Sequence, residues 1–482
     1  MQIQNKKHNL SLVAAFLIGV LSITGLGIHQ RSLVAKSEAS GFHSPVAPVQ
    51  RMPDTMLTRT AKRLSQRIKR QSFASPSIQA LTLALQKKQE LMKHAVTVTF
   101  SASEGTTFPT WTVNLSRYPT WLKANFAMNA AEFRVDRERI EEYLSQNPPE
   151  EITPPTDTTL STVAEPEGGS KEPMRVETLG VAKAGYLFET KGVSELLSAA
   201  LTNGSVPALT LPLKNVPGRI VNASGRDLGR LEWIATGRSN FAGSVTGRVK
   251  NVKKGLKERL NNVLVAPGET FSFNSTLGPV TARAGWFEAL GIFNGDQLRP
   301  VTGGGICQVA TTMYRAMVNA GLPVEKRKEH SLFVVYYEKY GIGLDATIYP
   351  GQQDLTFKND TGNYLLIQSY YDGFEATVNL YGTPDGRTVA LEGPYFSANA
   401  PEHIKVKDRA LKANEVAWTQ KITSADGSVQ ENTIVSRYKV LPKSVVAKHV
   451  EEQKVAQDKS RESEPVHAAA ADLLSDARGS QE

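Results

Sequence analysis

Cysteine is nearly absent from this 482-residue chain, which contains only Cys307. A lone cysteine excludes an intrachain disulfide and any zinc site built from several thiolates. The sequence has neither the Gly-x-Ser-x-Gly pattern of serine hydrolases nor a Gly-Lys-Ser/Thr phosphate loop. It also lacks the basic-aromatic signature of nucleic-acid binding. We therefore expect no metal, no cofactor and no nucleic-acid partner, and the thiol is the first candidate for chemistry.

The charge balance and the N-terminus indicate an envelope protein. The net charge of +9 suits an anionic membrane surface or wall polymer. An apolar run from Leu10 to Ile28 follows two lysines, and about 19 residues just reach across a bilayer core. A cleaved signal peptide is the alternative, but the small-residue site near Ser37 to Ala39 is poor. The sequence thus predicts a single-pass cell-membrane protein with most of the chain extracytoplasmic.

Composition and periodicity divide the remaining chain into segments. Alternation from Val96 to Phe100 predicts a strand, and the stretch from Val135 to Gln146 predicts a helix. A stretch rich in Pro, Thr and Glu predicts disorder. The predicted organisation is a cytoplasmic tip and membrane anchor at 1–30, a basic stalk at 31–94, a first module at 95–231 with a disordered insertion at 148–174, a second domain at 232–383, a small β module at 384–445 and a disordered tail at 446–482.

The second domain combines helical and strand patterns. Helical spacing around Val252 and again from Cys307 to Ala320 is followed by strand-like segments, among them Leu332 to Tyr337. This order predicts an α+β domain with an antiparallel sheet. The expected fold class for the whole chain is α+β: an N-terminal transmembrane helix, a small α+β module, the α+β second domain and a small C-terminal β module.

The segment from Gly303 to Tyr314 carries the strongest chemical signal. Three successive glycines, ending at Gly305, permit close backbone approach and left-handed conformations. Cys307 then falls at the predicted N-terminus of a helix, where free N–H groups and a partial positive charge favour the thiolate. The same N–H groups are suited to hold an oxyanion.

A thiolate nucleophile needs a base, and His330 is the histidine of the second domain. One cysteine and one histidine in a domain are the minimum set for a catalytic dyad. Asp345 and Asp354 are candidates for orienting the imidazole; spacing does not choose between them, and we name Asp345. Against catalysis, a lone cysteine is often a small buried hydrophobe.

These residues resemble the VanW domain family. The run Gly-Gly-Gly-Ile-Cys-Gln-Val-Ala-Thr-Thr-Met-Tyr is similar to the family signature. So are the segments 266–274, 277–281, 329–331 and 343–347, which together cover about residues 233–383. The first module more loosely resembles the peptidoglycan-binding module that often precedes VanW domains.

The resemblance implies a function in the cell wall. VanW proteins are named for their association with glycopeptide-resistance clusters, and some clostridial members act as L,D-transpeptidases with the motif cysteine as nucleophile. Carried over, Cys307 is the nucleophile, His330 the base and peptidoglycan stem peptides the partners. Residues that would line the substrate or oxyanion site are Gly304, Gly305, Gln308, Thr311 and Thr312, although structural roles are favoured for the two threonines.

Two other interpretations stay open. A cysteine peptidase or amidase would use the same dyad with water as acceptor. A non-catalytic wall-binding protein would use Cys307 only for packing. The distinguishing observation is whether the sulfur meets the His330 ring at an opening of the fold. The sequence does not indicate an oligomeric state.

Overall fold

A computed structural model provides the structure of the protein. It describes residues 51–455 except 72–74, 103–107, 109, 150–151, 167, 169–171, 205 and 294–296. The chain divides into two units. The first contains the residues up to Pro155 together with Ala184–Val216, and the second contains Thr156–Lys183 and the residues from Pro217 onward.

The elements alternate between helices and short strands. The first half contains α1 (Asp54–Gln71), α2 (Ile78–Lys93), β1 (Ala95–Ala102), β2 (Trp111–Asn114), β3 (Leu122–Ala127), β4 (Ala130–Val135), α3 (Arg137–Gln146), β5 (Thr158–Ala164), β6 (Met174–Thr178), β7 (Gly185–Leu187), α4 (Thr190–Asn203), β8 (Ala208–Val216) and β9 (Ile220–Asn222).

The second half continues with β10 (Glu232–Asn240), α5 (Thr246–Lys254), a π-helical turn (Gly255–Leu260), β11 (Val263–Val265), β12 (Thr270–Ser272), α6 (Phe273–Leu277), β13 (Glu288–Phe293), β14 (Gln297–Thr302), α7 (Ile306–Ala320), β15 (Val324–Lys326), β16 (Thr356–Lys358), β17 (Leu365–Asp372), β18 (Glu375–Gly382), β19 (Thr388–Tyr395), β20 (Glu415–Thr423) and β21 (Val429–Arg437). A last helix, α8, spans 443–455.

The first unit is built on a four-stranded sheet in the order β2-β1-β8-β7. Strand β1 alternates buried and less buried residues, as a half-buried strand must. The Asp136 side chain caps α3 by accepting the N–H of Glu138. Trp111, Tyr118 and Trp121 pack together in the core. The unit is thus a mixed α+β structure.

The second unit is built on a seven-stranded sheet in the order β10-β18-β17-β11-β6-β5-β9. Helix α7 packs against β10 and β18. All residues of β18 after its first are buried, because α7 covers one side of this region and other parts of the unit fill the remainder. The start of α7 is therefore held against a rigid scaffold.

The insertion predicted to be disordered at 148–174 contains part of this sheet. Strand β5 lies inside it, and β6 begins at its end. Strand β6 pairs with β11 at Arg175 and Val263. Leu160 and Val176 are buried with Leu264. Composition alone suggested disorder because residues that bury this segment, such as Leu264 and Leu366, lie far along the chain.

The predicted transmembrane helix is corrected by the structure. Among the residues described, no helix is both long and apolar enough to cross a membrane. The 18-residue α1 carries Arg59, Lys62 and Arg63 among its many cations, which a bilayer core would not accept. The prediction of a single-pass membrane protein is therefore wrong on this finding, and the segment from Leu10 to Ile28 itself lies outside the described residues.

The C-terminal strands form a separate small sheet within the second unit. Strands β19, β20 and β21 form a three-stranded antiparallel sheet. The Trp418 indole donates to the Ile342 carbonyl at 2.8 Å, and the Gln420 amide donates to the Val318 carbonyl at 2.7 Å. This sheet is thereby tied both to α7 and to the loop that follows His330.

Candidate functional site

The glycine run produces a sharp entry into α7. Gly303 and Gly305 have φ values of 82° and 101°, which disfavour any residue with a Cβ atom. A Cβ on Gly304 would lie 2.2 Å from the Ala289 carbonyl oxygen, so the chain passes too close for a side chain there. Gly305 is the N-cap residue, and Cys307 is the second residue of the helix. The predicted placement of the thiol at a helix start is confirmed.

Cys307 is partly buried and surrounded by polar atoms. Its sulfur lies 3.7 Å from the Thr347 hydroxyl and 3.7 Å from the Ile348 carbonyl oxygen. His330 also lowers the pKa of the thiol, through a side-chain hydrogen bond and its positive charge, so the imidazole lies near the sulfur. The thiol is therefore neither sealed among apolar side chains nor remote from a base.

His330 is fixed by Asp345. The imidazole Nδ1 lies 2.5 Å from Asp345 Oδ2, and the His330 backbone N–H donates to the same oxygen at 2.9 Å. Because Nδ1 is engaged by the carboxylate, Nε2 is the nitrogen left for Cys307. The Tyr337 ring packs beside the imidazole, with 5.1 Å between ring centroids. The structure thus brings a cysteine, a histidine and an aspartate into one chain of contacts.

The electrostatics of the three groups favour an ion pair. Burial opposes the charged thiolate, but the hydrogen bond and positive charge of His330 bring the pKa of Cys307 below its ordinary value. Burial also opposes the imidazolium, yet Asp345 and Cys307 together raise the pKa of His330 to about 9. Against burial, His330 and Arg327 lower the pKa of Asp345 to about 2. These directions favour the thiolate, the imidazolium and the carboxylate over their neutral or protonated alternatives.

The other candidate aspartate is engaged elsewhere. Asp354 accepts hydrogen bonds from the Ser272 hydroxyl at 2.6 Å and from the Asn274 backbone N–H at 2.9 Å. Both partners lie at the start of α6, so this carboxylate holds a helix N-terminus. Of the two aspartates, Asp345 is the one beside His330.

The predicted substrate-site side chains on α7 point into the protein. The Thr311 hydroxyl exchanges hydrogen bonds with the N–H and C=O of Ala346, at 3.1 and 3.2 Å. Thr312 bonds to Ser239 at 2.6 Å. The Gln308 side chain accepts a hydrogen bond from the Arg248 guanidinium and donates one to the Asn240 carbonyl. All three side chains are fully buried, so they support the turn from inside the protein.

Two arginines near the site were not identified from the sequence. Arg248 is 7% exposed, donates to Ser244 and Gln308, and lies 4.0 Å from the centre of the Tyr336 ring. No carboxylate in the described part of the chain pairs with it. Arg327 approaches Asp345 Oδ1 at 3.7 Å. The contacts that bring them to the site join Arg248 to Gln308 and Arg327 to Asp345, 60 and 18 positions apart, so no local pattern indicates them.

A tyrosine from the C-terminal sheet also reaches the site. The Tyr438 hydroxyl donates to Asp345 Oδ1 at 2.6 Å. From the sequence, Tyr438 is expected in a separate β module, and nothing in its local pattern indicates the contact. Two surface cavities of the second unit, one beside Glu338 and His449 and one beside Asp360 and Arg387, do not include Cys307.

A thiol, an imidazole and a carboxylate thus lie next to one another on an α+β domain. A family model described as VanW like protein matches residues 247–381, which include all three groups. The resemblance to the VanW domain that the sequence predicted is confirmed at those residues. The resemblance of the first module to a peptidoglycan-binding domain stays a prediction.

Two curated relatives match part of this chain. Uncharacterized protein YoaR of Bacillus subtilis (strain 168) is 32% identical over 167 residues, 35% of this chain and 54% of the relative. Vancomycin B-type resistance protein VanW of Enterococcus faecalis (strain ATCC 700802 / V583) is 33% identical over 116 residues, 24% of this chain and 42% of the relative. The chain thus spans about half the length of the curated relatives it matches.

One solved structure, the Ldtfm-avibactam carbamoyl enzyme, is also similar. The match covers 46% of this chain and 76% of the chain in that structure, at 15% identity and a TM-score of 0.18. A score this low carries no argument about fold or activity.

Proposed function

We propose that this chain is a cysteine acyltransferase of the cell wall, an L,D-transpeptidase that joins peptidoglycan stem peptides by 3–3 cross-links. The contact chain from Cys307 through His330 to Asp345 is the observation that carries the proposal. The VanW-like domain and the relative that is named for vancomycin resistance fit a role in the cell wall. The acyl-transfer chemistry rests on the geometry of this chain.

In the first half-reaction the Cys307 thiolate attacks the carbonyl of the third residue of a stem tetrapeptide. The C–N bond to the terminal D-alanine breaks, and the His330 imidazolium gives its proton to the departing amine. A thioester on Cys307 and free D-alanine are the products. Asp345 keeps the imidazole oriented and stabilises its charged form.

In the second half-reaction a neutral side-chain amine of another stem attacks the thioester. An amide bond forms, the C–S bond breaks, and the neutral imidazole accepts the proton from the attacking nitrogen. The thiolate and imidazolium are thereby restored. Attack by water instead would release a shortened peptide, which is the cysteine-hydrolase alternative.

Backbone amides at the start of α7 would hold the oxyanion. The N–H groups of Ile306 and Gln308 already donate to the carbonyls of Gly303 and Gly305. Within the described part of the chain, the amides of Gly305 and Cys307 are left without a backbone acceptor in this turn. A pair of such donors beside a nucleophile is the usual form of an oxyanion hole.

The test is a product analysis with the full chain and a disaccharide-tetrapeptide. Mass spectrometry should detect a cross-linked dimer and released D-alanine, and both should disappear in Cys307→Ala and His330→Ala. His403→Ala is the matched control, because His403 is an exposed histidine of the same unit. Cleavage without a dimer would indicate the hydrolase. No turnover, with equal wall binding by wild type and Cys307→Ala, would indicate a non-catalytic binding protein.

A further inference from the structure

The carboxylate of Asp345 is held from outside the VanW-like domain. Tyr438, whose hydroxyl donates to Asp345 Oδ1 at 2.6 Å, lies 57 residues beyond the end of the matched region, by subtraction of 381 from 438. Both side chains are buried, with 3% exposure for Tyr438 and 1% for Asp345. Because His330 occupies Oδ2, the two oxygens of one carboxylate face two different parts of the chain.

The backbone around Tyr438 is fastened on both sides. Its N–H donates to the Asn414 carbonyl at 3.0 Å, and the Asn414 amide donates to the Tyr438 carbonyl at 2.6 Å. The next residue, Lys439, donates its N–H to the Ser331 carbonyl at 2.7 Å. Ser331 directly follows His330, so the same strand end that delivers the hydroxyl also holds the loop of the base.

A second contact of β21 supports the same loop. The Ser436 hydroxyl donates to the Gly343 carbonyl and accepts from Arg327 Nη2 at 2.6 Å. Arg327 in turn donates through Nε to the Asp345 carbonyl at 2.8 Å. The C-terminal strand therefore fixes the Asp345 side chain directly and its backbone through Arg327.

We propose that Tyr438 is a positioning residue for the Cys307–His330 pair, and that the C-terminal sheet is part of the site rather than an independent module. The Tyr438 hydroxyl keeps the carboxylate in the rotamer that aims Oδ2 at the imidazole. The role of Tyr438 in catalysis rests on the proposed transpeptidase activity. Its effect on ionisation of the Cys307 thiol does not, because that ionisation can be measured without any peptidoglycan substrate.

Several charged or ionisable groups act on this centre, and the effect of Tyr438 must be separated from theirs. Those that surround the His330–Asp345 pair or its neighbours are Cys307, Tyr314, Arg315, Arg327, Glu329, Tyr337 and Tyr438. Replacing Tyr438 by phenylalanine removes one neutral donor and leaves every charge in place. The buried ring remains to pack edge-on against Phe333.

Loss of the hydroxyl leaves Asp345 Oδ1 without its short donor. The carboxylate is then freer to turn away from Nδ1, and the imidazolium that stabilises the thiolate is less well held. Hydrogen bonds to charged buried groups are strong enough that losing one shifts a coupled titration by about one pH unit. The thiolate of Cys307 should therefore form at higher pH.

The experiment measures the rate of iodoacetamide alkylation of the full chain against pH, followed by intact mass. Cys307 is the single cysteine, so all alkylation reports on it. In Tyr438→Phe the rising limb of the pH–rate profile for alkylation should move to higher pH by about one unit. Tyr395→Phe is the matched control, because its hydroxyl donates to Glu392 at 3.3 Å in the same sheet, away from Asp345. That control should follow the wild-type profile.

The outcomes separate positioning from mere packing. In Tyr438→Phe, a lower melting temperature with an unchanged pH–rate profile would overturn the proposal. So would a rising limb of that profile displaced to lower pH. Ser436→Ala serves as a second variant if Tyr438→Phe fails to fold, and a smaller displacement in the same direction is expected. A displaced limb in a chain that forms no cross-links would retain the positioning role and reject the transpeptidase.

Discussion

Two effects oppose each other at the Cys307 sulfur, and the balance between them governs its reactivity. Burial disfavours the thiolate, whereas His330 favours it through a hydrogen bond and positive charge. Removing His330 should leave burial opposed by the weaker contacts with Ile348 and Thr347, so the pKa of Cys307 should rise. We predict that His330→Gln slows alkylation of Cys307 at pH 7 by roughly tenfold or more. The pH–rate profile checks this, with His403→Gln as control; equal rates in both variants would rule out His330 as the partner of the thiol.

The His330–Asp345 pair makes the free energy of unfolding depend on pH. The pKa of His330 is raised from 6.5 to about 9, so its stabilisation is complete below about pH 6.5 and is lost as pH rises through about 9. The pKa of Asp345 is lowered from 3.8 to about 2, so its stabilisation is present above about pH 3.8 and is lost as pH falls through about 2. The linked stabilisation is therefore largest between these limits.

We predict that wild type loses on the order of 2 kcal/mol more unfolding free energy than His330→Gln between pH 6.5 and 9.5. Urea unfolding at both pH values provides the measurement. Parallel pH dependence in the two proteins would contradict the assignment of an imidazolium to the folded state.

The sequence identified Cys307 and His330 as a candidate pair but not the residues that hold them. Cys307 and His330 could be paired because each is the single residue of its type in the domain. Tyr438 and Arg327 could not be found, because their contacts with Asp345 join segments that are distant in the sequence or lack a local pattern. The choice between Asp345 and Asp354 likewise needed coordinates.

Helix α7 depends on its glycine entry. A Cβ on Gly305 would lie 2.6 Å from Arg248 Cγ, in addition to the strain of a φ of 101°. Gly351 also has a positive φ, 80°, but a Cβ added there would meet no other atom within 4 Å. We predict that Gly351→Ala costs about 1 kcal/mol and Gly305→Ala clearly more. Thermal unfolding compares them, and slower alkylation of Cys307 is expected only in Gly305→Ala. Equal losses of stability in the two variants would show that backbone strain alone accounts for the effect of replacing Gly305.

Arg315 joins α7 to the loop after His330. Its guanidinium donates to the carbonyls of Tyr337, Lys339, Gly341 and Leu344 on that loop and to Arg238 on β10, as the five short contacts indicate. Burial lowers its pKa to about 10, so it stays charged at neutral pH. The strand predicted at Leu332 to Tyr337 is absent from this described segment, which contains a 3-10 turn at Val335–Tyr337 instead.

We predict that Arg315→Met destabilises the protein by about 3–5 kcal/mol, because several buried carbonyls lose their donor at once. Arg283→Met is the matched control, since Arg283 is exposed. Denaturant unfolding measures both variants. A loss below about 1 kcal/mol for Arg315→Met would mean that water replaces the guanidinium without penalty.

Across the whole molecule, the second unit is assembled from pieces that are separated in the chain. The α+β class was predictable from helical and alternating patterns, which are local. The entry of β5 and β6 into the main sheet was not, because a segment rich in Pro, Thr and Glu indicates disorder unless its distant partners are known. The coupling of the C-terminal sheet to the site was missed for the same reason.

The assembly predicts complementation. A chain limited to residues 217–455 should lack β5 and β6, which leaves Leu264 and Leu366 without Leu160 and Val176. Such a chain should melt at a lower temperature and recover part of the loss when a peptide of residues 156–183 is added. A scrambled peptide is the control. An unchanged melting temperature with either peptide would contradict the place of these strands in the sheet.

Acylation of Cys307 is the central claim, and one measurement addresses it most directly. The full chain is mixed with a stem tetrapeptide, quenched in acid and weighed intact, and its peptides are then mapped. The account predicts an added mass equal to the tetrapeptide less D-alanine, located on Cys307 and absent from Cys307→Ser. An unmodified chain under conditions in which iodoacetamide still alkylates Cys307, or an adduct on another residue, would contradict it.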